Sequence, residues 1–378
     1  MSFFLGIKEE GGFANIKDPF LHCYLIGKTG TGKSTLLWNI AVNAMYLGWG
    51  IVVLDGGGDL AENILSTIPP KRYKDAMVIN DRVHFVYNPL QLPYEPIVII
   101  NNFARAVNKM IQVMGKDQSM TSQMREVLRV CLTATLENNG DISEVYDRLM
   151  KYKGKKEVGD SAFRVAVRLS HIVYNPRIKE MLTGENEFDF KEIAEKKKIV
   201  LIDSRTMDKE TFSFIGNLMT QELTHYIKRQ RVRDYQPILF ICDEFQTVIS
   251  PDFSELFAQA RKCKVACFLA HQNFQQASEK LLYSIIESAG NIIAFQTGAE
   301  TGQIISRQFT ERKREDLRDL EEYRCILRTR DIDATVKTMI PPYYNEKRAN
   351  KVIARLNRHP IKNIAKEKKS MMTVSWFD

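Results

Sequence analysis

The octapeptide GKTGTGKS at positions 27–34 constrains this chain more than any other stretch. It has the spacing G-x-x-x-x-G-K-[ST], with the apolar run LHCYLIG (21–27) leading in and the helix-like STLLWNIAVNAMY leading out. Glycine at 27, 30 and 32 permits backbone conformations closed to residues with a Cβ. The N–H groups of Gly27, Lys28, Thr29, Gly30, Thr31 and Gly32 can therefore converge on one anion. The helix that follows adds its positive end. Lys33 is placed to reach the β- and γ-phosphates of a nucleoside triphosphate, Ser34 to offer its hydroxyl to Mg2+, and Thr35 to lie near the α-phosphate. The sequence thus predicts a strand–loop–helix unit that binds ATP with Mg2+.

The remaining apolar runs supply the other strands: GIVVLD (50–55), KIVLID (198–203), PILFICD (237–243), KVACFLA (264–270), NIIAFQ (291–296) and RCILRT (324–329). Most are continuous rather than alternating, as in strands buried on both faces of a parallel sheet. Helix-like segments separate them, such as 35–46, 209–229 and 253–261, and this alternation predicts a doubly wound sheet. Between about 97 and 187 the pattern turns helical throughout, and the reading is an all-helical subdomain inserted between the second and third core strands. The expected division is 1–96 and 191–343 for the two parts of the core, 97–190 for the helical insert, and 344–378 for a basic tail that opens with a helix at 346–358.

PILFICDEFQ (237–246) runs a buried strand directly into Asp243 and Glu244. Downstream of a phosphate loop, this places Asp243 to orient Mg2+ alongside Ser34, and Glu244 to activate the attacking water as general base. The competing reading is a strand followed by acids that cap the next helix. Gln272 stands at the tip of the next apolar strand, where a γ-phosphate sensor would sit. Arg261 ends the helix before that strand. A cation there can simply complement the helix dipole, or, in a ring, reach the ATP of a neighbouring subunit. Arg307, Arg328 and Arg330 compete for that second role. His22 and His271 have no second ligand at metal spacing.

Taken together, these segments resemble one group, the HerA/FtsK ATPases and above all the conjugative coupling proteins. GKTGTGKSTLLWNI is similar to their phosphate loop. VVLDGGGDLAENIL (52–65), IPPKRYKD (68–75) and YNPL (87–90) are similar to their "D-P-x-G-D-L … I-P … N-P-L" stretch. KIVLIDSRT, DEFQ, ARKCKVACFLAHQ (260–272) and NIIAFQTGAETGQII (291–305) keep the family's order. The resemblance implies a RecA-like P-loop NTPase core with a mostly parallel sheet and an all-α domain in place of the helical insert. It implies a hexameric ring that moves DNA, with the Arg matched by Arg261 acting across the subunit boundary and the Gln matched by Gln272 sensing nucleotide. Gly56 stands where the family has proline, so the 55–59 loop is expected to be more flexible. The chain starts almost at the motor, without the membrane anchor of coupling proteins or the N-terminal barrel of HerA, and a stripped-down mobile-element or viral motor is the expectation.

Composition adds little against this. Hydrophobic residues make up 44% and charged residues 26%, ordinary values for a globular protein. The net charge of +8 concentrates in the tail, where nine Lys/Arg between 344 and 370 face only Glu346 and Glu367. A basic tail suits a polyanion partner, and the DNA contact it suggests carries no base preference. Six cysteines without a CxxC pair read as buried free thiols in a reducing, cytoplasmic setting. The expected partners are DNA, copies of the same chain, and a secretion, relaxosome, capsid or nuclease component. An ATPase acting on protein partners is the competing function.

Overall fold

The computed structural model describes residues 2–80, 86–114, 119–186, 190–229, 235–250, 253–274, 279–310 and 314–356. Among the described residues eleven strands form one sheet: β1 (Phe3–Lys8), β2 (Phe13–Ile16), β3 (Cys23–Ile26), β4 (Gly50–Asp55), β5 (Ala76–Ile79), β6 (Ile199–Asp203), β7 (Ile238–Asp243), β8 (Val265–His271), β9 (Asn291–Ala294), β10 (Arg324–Arg328) and β11 (Asp333–Thr338). Their order is β2-β1-β11-β10-β9-β3-β8-β7-β4-β6-β5. The seven strands from β9 to β5 are mutually parallel, and β10, β11, β1 and β2 add an antiparallel edge.

Every residue of β3, β4, β6, β7 and β8 is buried, the physical meaning of their unbroken apolar runs. Successive side chains point to opposite faces. Leu25, Ile51, Val53, Leu239 and Phe268 join one core with α1 (Lys33–Tyr46), α2 (Leu60–Thr67) and α14 (Glu346–Leu356). Tyr24, Val52, Leu54, Phe240 and Leu269 join the other, with α3 (Pro96–Met114), α9 (Lys209–Arg229) and α10 (Phe253–Ala260). The fold is therefore the doubly wound α/β architecture that the sequence predicts.

The helical stretch comprises α3, α4 (Ser122–Glu137), α5 (Ile142–Lys151), α6 (Gly159–Val173), α7 (Pro176–Leu182) and α8 (Phe190–Glu195). It follows β5, so it enters after the third parallel core strand and not the second. β5 has only four residues, AMVI, too short to stand out from the turn before it. β1, β2 and β11 also escape sequence reading. In β11 the burial pattern simply alternates at a half-exposed edge.

The helices share one continuous core with the sheet. Phe103 on α3 meets Phe214 on α9 edge-to-face at 5.1 Å, a geometry that contributes about 0.5–1.5 kcal/mol beyond area burial. The stretch expected as a basic tail begins as α14, whose Ala349 and Val352 are buried in the core containing α1 and α2. Residues 357–378, with the rest of the basic cluster, lie outside the described residues. Among the described residues no helix is long and apolar enough to cross a membrane. All six cysteines are buried and free.

Candidate functional site

The C-terminal ends of β3, β8, β7 and β4 lie side by side, and the loops that leave them meet at one edge of the sheet, where open α/β sheets place their ligands. A cavity of about 470 Å3 opens there, lined by the phosphate loop, the acidic pair and Gln272. Gly30 and Gly32 carry φ of 80° and 110°. Gly32 is the N-cap of α1, with no side-chain cap, so the first amides of the helix face the cavity without an internal acceptor. A Cβ at Gly32 would also lie 3.0 Å from the ring of Tyr323.

Lys33 is buried, and its Nζ donates to the carbonyls of Gly27 (2.6 Å) and Lys28 (2.9 Å). Burial lowers the pKa of this ammonium, and the charges of Asp243 and Glu244 partly restore it. Ser34 Oγ donates to Asp243 Oδ2 at 3.0 Å. Adjacent ligands of an octahedral Mg2+ stand about 3 Å apart at the usual Mg–O length, so this hard-oxygen pair fits that ion. Asp243 is held up to about 6, first by burial and then by the neighbouring Glu244, against the pull of Lys33 and Ser34. A bound divalent cation would restore its full ionisation.

Glu244 adopts the left-handed conformation (φ 55°, ψ 47°), unusual for a residue with a side chain and a mark of functional sites. Its two carboxylate oxygens accept from Gln272 Nε2 (2.7 Å) and Gln246 Nε2 (2.6 Å). Lys33, Ser34, Asp243, Glu244 and Gln272 thus converge, together with Thr29, Gly30, Gly32 and Thr35 of the loop. Thr31 instead turns inward, donating to Lys28 O at 2.8 Å.

Arg261 does not join them. It precedes β8 while Gln272 follows it, a separation of about 20 Å at strand rise. The guanidinium is half-exposed and stands 3.6 Å from Asp18. Arg307, Arg328 and Arg330 do not line the cavity either. His22 and His271 are core residues held neutral by burial, at about 4 and about 3. His22 Nδ1 accepts from the Cys267 amide at 3.3 Å, and His271 Nε2 meets the Tyr24 hydroxyl at 2.5 Å.

Sequence reading missed two contributors. Asp55 ends β4 beside Asp243, and its carboxylate accepts from the amides of Gly57 (3.1 Å), Gly58 (2.8 Å) and Ala61 (2.7 Å). Burial and the neighbouring Asp243 raise it to about 7, against those amides. Gly56 N also donates to Asp243 O at 3.3 Å, a bond that proline could not make. The 55–59 loop, expected to be looser for lack of that proline, is pinned instead. Tyr323, before β10, closes the far end of the cavity. Its amide donates to Thr31 O at 3.1 Å. Its φ of 61° is the only oddity, and that is invisible in sequence.

Residues 85–312 match the family model for type IV secretory system conjugative DNA transfer, and that span is more than half of the chain. The chain belongs to this family. The motif order read from the sequence therefore points to the right group. No curated protein matches the sequence. Among solved structures, the fold is similar to the bacterial conjugative coupling protein TrwB in its unbound monoclinic form (TM-score 0.68, 13% identity, covering 91% of this chain and 90% of that one). It is also similar to VirB4 of Thermoanaerobacter pseudethanolicus (0.66, 14%, 90% and 97%) and to TrwB in complex with ADP and Mg2+ (0.66, 14%, 88% and 89%). At these identities the likeness is one of fold, and it extends over both the sheet and the helical stretch.

Proposed function

We propose that this member of the conjugative DNA transfer family is an ATP-driven DNA translocase working as a homo-oligomeric, hexameric ring. The observation that carries the reading is the convergence of Lys33, Ser34, Asp243, Glu244 and Gln272 on one cavity. In this reading the loop amides and Lys33 bind the β- and γ-phosphates, and the Ser34–Asp243 pair holds Mg2+, which polarises the transferred phosphoryl group. Glu244 takes the proton of the attacking water. Gln272, bonded to Glu244, senses the γ-phosphate and changes partner when that phosphate departs. The six free thiols suit a reducing, cytoplasmic compartment, and secretion or relaxosome proteins are the expected partners.

The deciding experiment measures ATP turnover with and without DNA at low salt. A translocase responds with stimulation well above about twofold that collapses as salt rises, because sequence-independent binding is carried by phosphate contacts. Stimulation below that level would favour an ATPase that energises a protein assembly.

The place of Arg261 makes the ring testable. From the far edge of the sheet it cannot serve its own nucleotide, which supports a role at a neighbour's. Arg261→Ala is expected to spare ATP affinity and to cut hydrolysis. In mixtures with Lys33→Ala subunits, sites pairing an intact loop with an intact finger should recover activity. No recovery in any mixing ratio removes the trans role.

A further inference from the structure

The nucleotide cavity has two unlike ends, and α1 separates them. Ser34 and Trp38 stand four residues apart, on one face of that helix. The face meets Asp243 through Ser34 Oγ, and α2 through Trp38 Nε1, which donates to Thr67 Oγ1 at 3.0 Å. Thr35 and Asn39 form the neighbouring face, and Asn39 Nδ2 donates to Ile340 O at 3.1 Å. Ser34 is thus on the side of the acids, and Thr35 on the side of the segment that carries Pro341. A phosphate chain whose γ-phosphate sits at the Ser34–Asp243 end reaches Thr35 next. It delivers the nucleoside to the end of the cavity lined by Tyr323 and Pro341.

Tyr323 is built firmly into that end. Its φ of 61° lies in the left-handed region, where glycine or asparagine is the relaxed choice. Bonds on both sides hold the backbone there. The N–H donates to Thr31 O (3.1 Å), and the carbonyl accepts from Thr338 N (2.8 Å) and Thr338 Oγ1 (3.0 Å). The ring comes to 3.0 Å from where a Cβ on Gly32 would stand, so it lies against the loop that cradles the phosphates. A bulky ring kept in a strained conformation, half-buried beside a ligand cavity, has an apolar face to offer a ligand. Trp38 is the other aromatic side chain lining the cavity among the described residues, but it is only 4% exposed and its Nε1 is engaged by Thr67. Pro341 is exposed and adds a second apolar ring at the Tyr323 end.

We propose that Tyr323 stacks on the purine ring of the bound nucleotide, with Pro341 bounding the same slot. The inference rests on the ATP-hydrolysis reading of this cavity and assigns that reading its base contact. A stack uses the flat face that every purine shares, so it supplies affinity without choosing among purines.

The test uses the full chain with Mg2+ and the triphosphate of 2-aminopurine riboside, a fluorescent purine nucleotide whose emission stacking quenches. Anisotropy follows its binding, intensity at saturation follows the stack, and competition by inorganic tripolyphosphate reports the phosphate contacts alone. Tyr323→Asn removes the ring and installs a residue at ease in the left-handed region, with circular dichroism as the check on folding. Tyr323→Phe keeps the ring. Tyr323→Asn is expected to bind the probe about tenfold more weakly and to leave it unquenched, with tripolyphosphate binding native, and Tyr323→Phe to restore both affinity and quenching. Native probe affinity and quenching in Tyr323→Asn would overturn the stack and leave the nucleotide site standing. Equal losses of probe and tripolyphosphate would also overturn it, since Tyr323 would then act by supporting the phosphate loop through Thr31. Tyr323→Phe as impaired as Tyr323→Asn would overturn it by assigning the contact to the hydroxyl. A native chain that binds neither probe nor tripolyphosphate removes the nucleotide reading and the stack with it.

Discussion

Glu244→Gln is expected to bind ATP and Mg2+ normally while its turnover falls by about 100- to 10,000-fold, the usual contribution of a positioned general base. The substitution keeps the length of the side chain and removes its charge, one of its two acceptor oxygens and its capacity to take a proton. The site is arranged for a carboxylate and not an amide, since Glu244 presents two acceptor oxygens to two amide donors, Gln272 at 2.7 Å and Gln246 at 2.6 Å. Those bonds fix the carboxylate in the cavity that Lys33, Ser34 and Asp243 also line. Isothermal titration with a non-hydrolysable ATP analogue separates binding from phosphate release. Turnover within a fewfold of native would mean that another group takes the proton.

The second large effect concerns Lys33. Lys33→Ala should lose nucleotide affinity by about 10- to 150-fold, the worth of a charge-assisted bond of about 1.5–3 kcal/mol, and turnover should fall below detection. The ammonium is buried, and burial makes each of its phosphate contacts stronger than it would be in water. Its loss also leaves Asp243 without the cation that counters its burial, which raises that carboxyl and disfavours the ionised form that Mg2+ needs. The two variants together form a diagnosis: Glu244→Gln binds and does not turn over, whereas Lys33→Ala does neither. Native analogue binding by Lys33→Ala, measured in the same titration, would detach the lysine from the phosphates.

The parts of the fold that were readable in advance are those whose signal is local. The phosphate loop is a contiguous octapeptide. β4, β6, β7 and β8 are continuous apolar runs because each is covered on both faces, and Asp243-Glu244 stands directly at the end of one of them. β5 was lost because four residues carry too little pattern, and its loss moved the helical stretch by one strand in the expected topology. β1, β2 and β11 sit at the antiparallel edge, where half-exposed alternation resembles an ordinary loop.

The sequence by itself determined the chemistry available: a glycine-rich cradle, a lysine, a hydroxyl, an acidic dyad, and a polar tip on the following strand. Only the tertiary structure decided which of these groups meet. The sheet order places β8 and β7 between the strands of the phosphate loop and Asp55, bringing Gln272 to Glu244 and sending Arg261 to the opposite edge. It likewise decided that Tyr323 closes on Gly32 from nearly 300 residues away, that Gly56 bonds the Asp243 carbonyl, and that Lys109 reaches from α3 to Ile249. The reason is physical. Backbone conformation and burial periodicity are set by neighbours along the chain, whereas these contacts depend on strand pairing between distant segments, which no local pattern specifies.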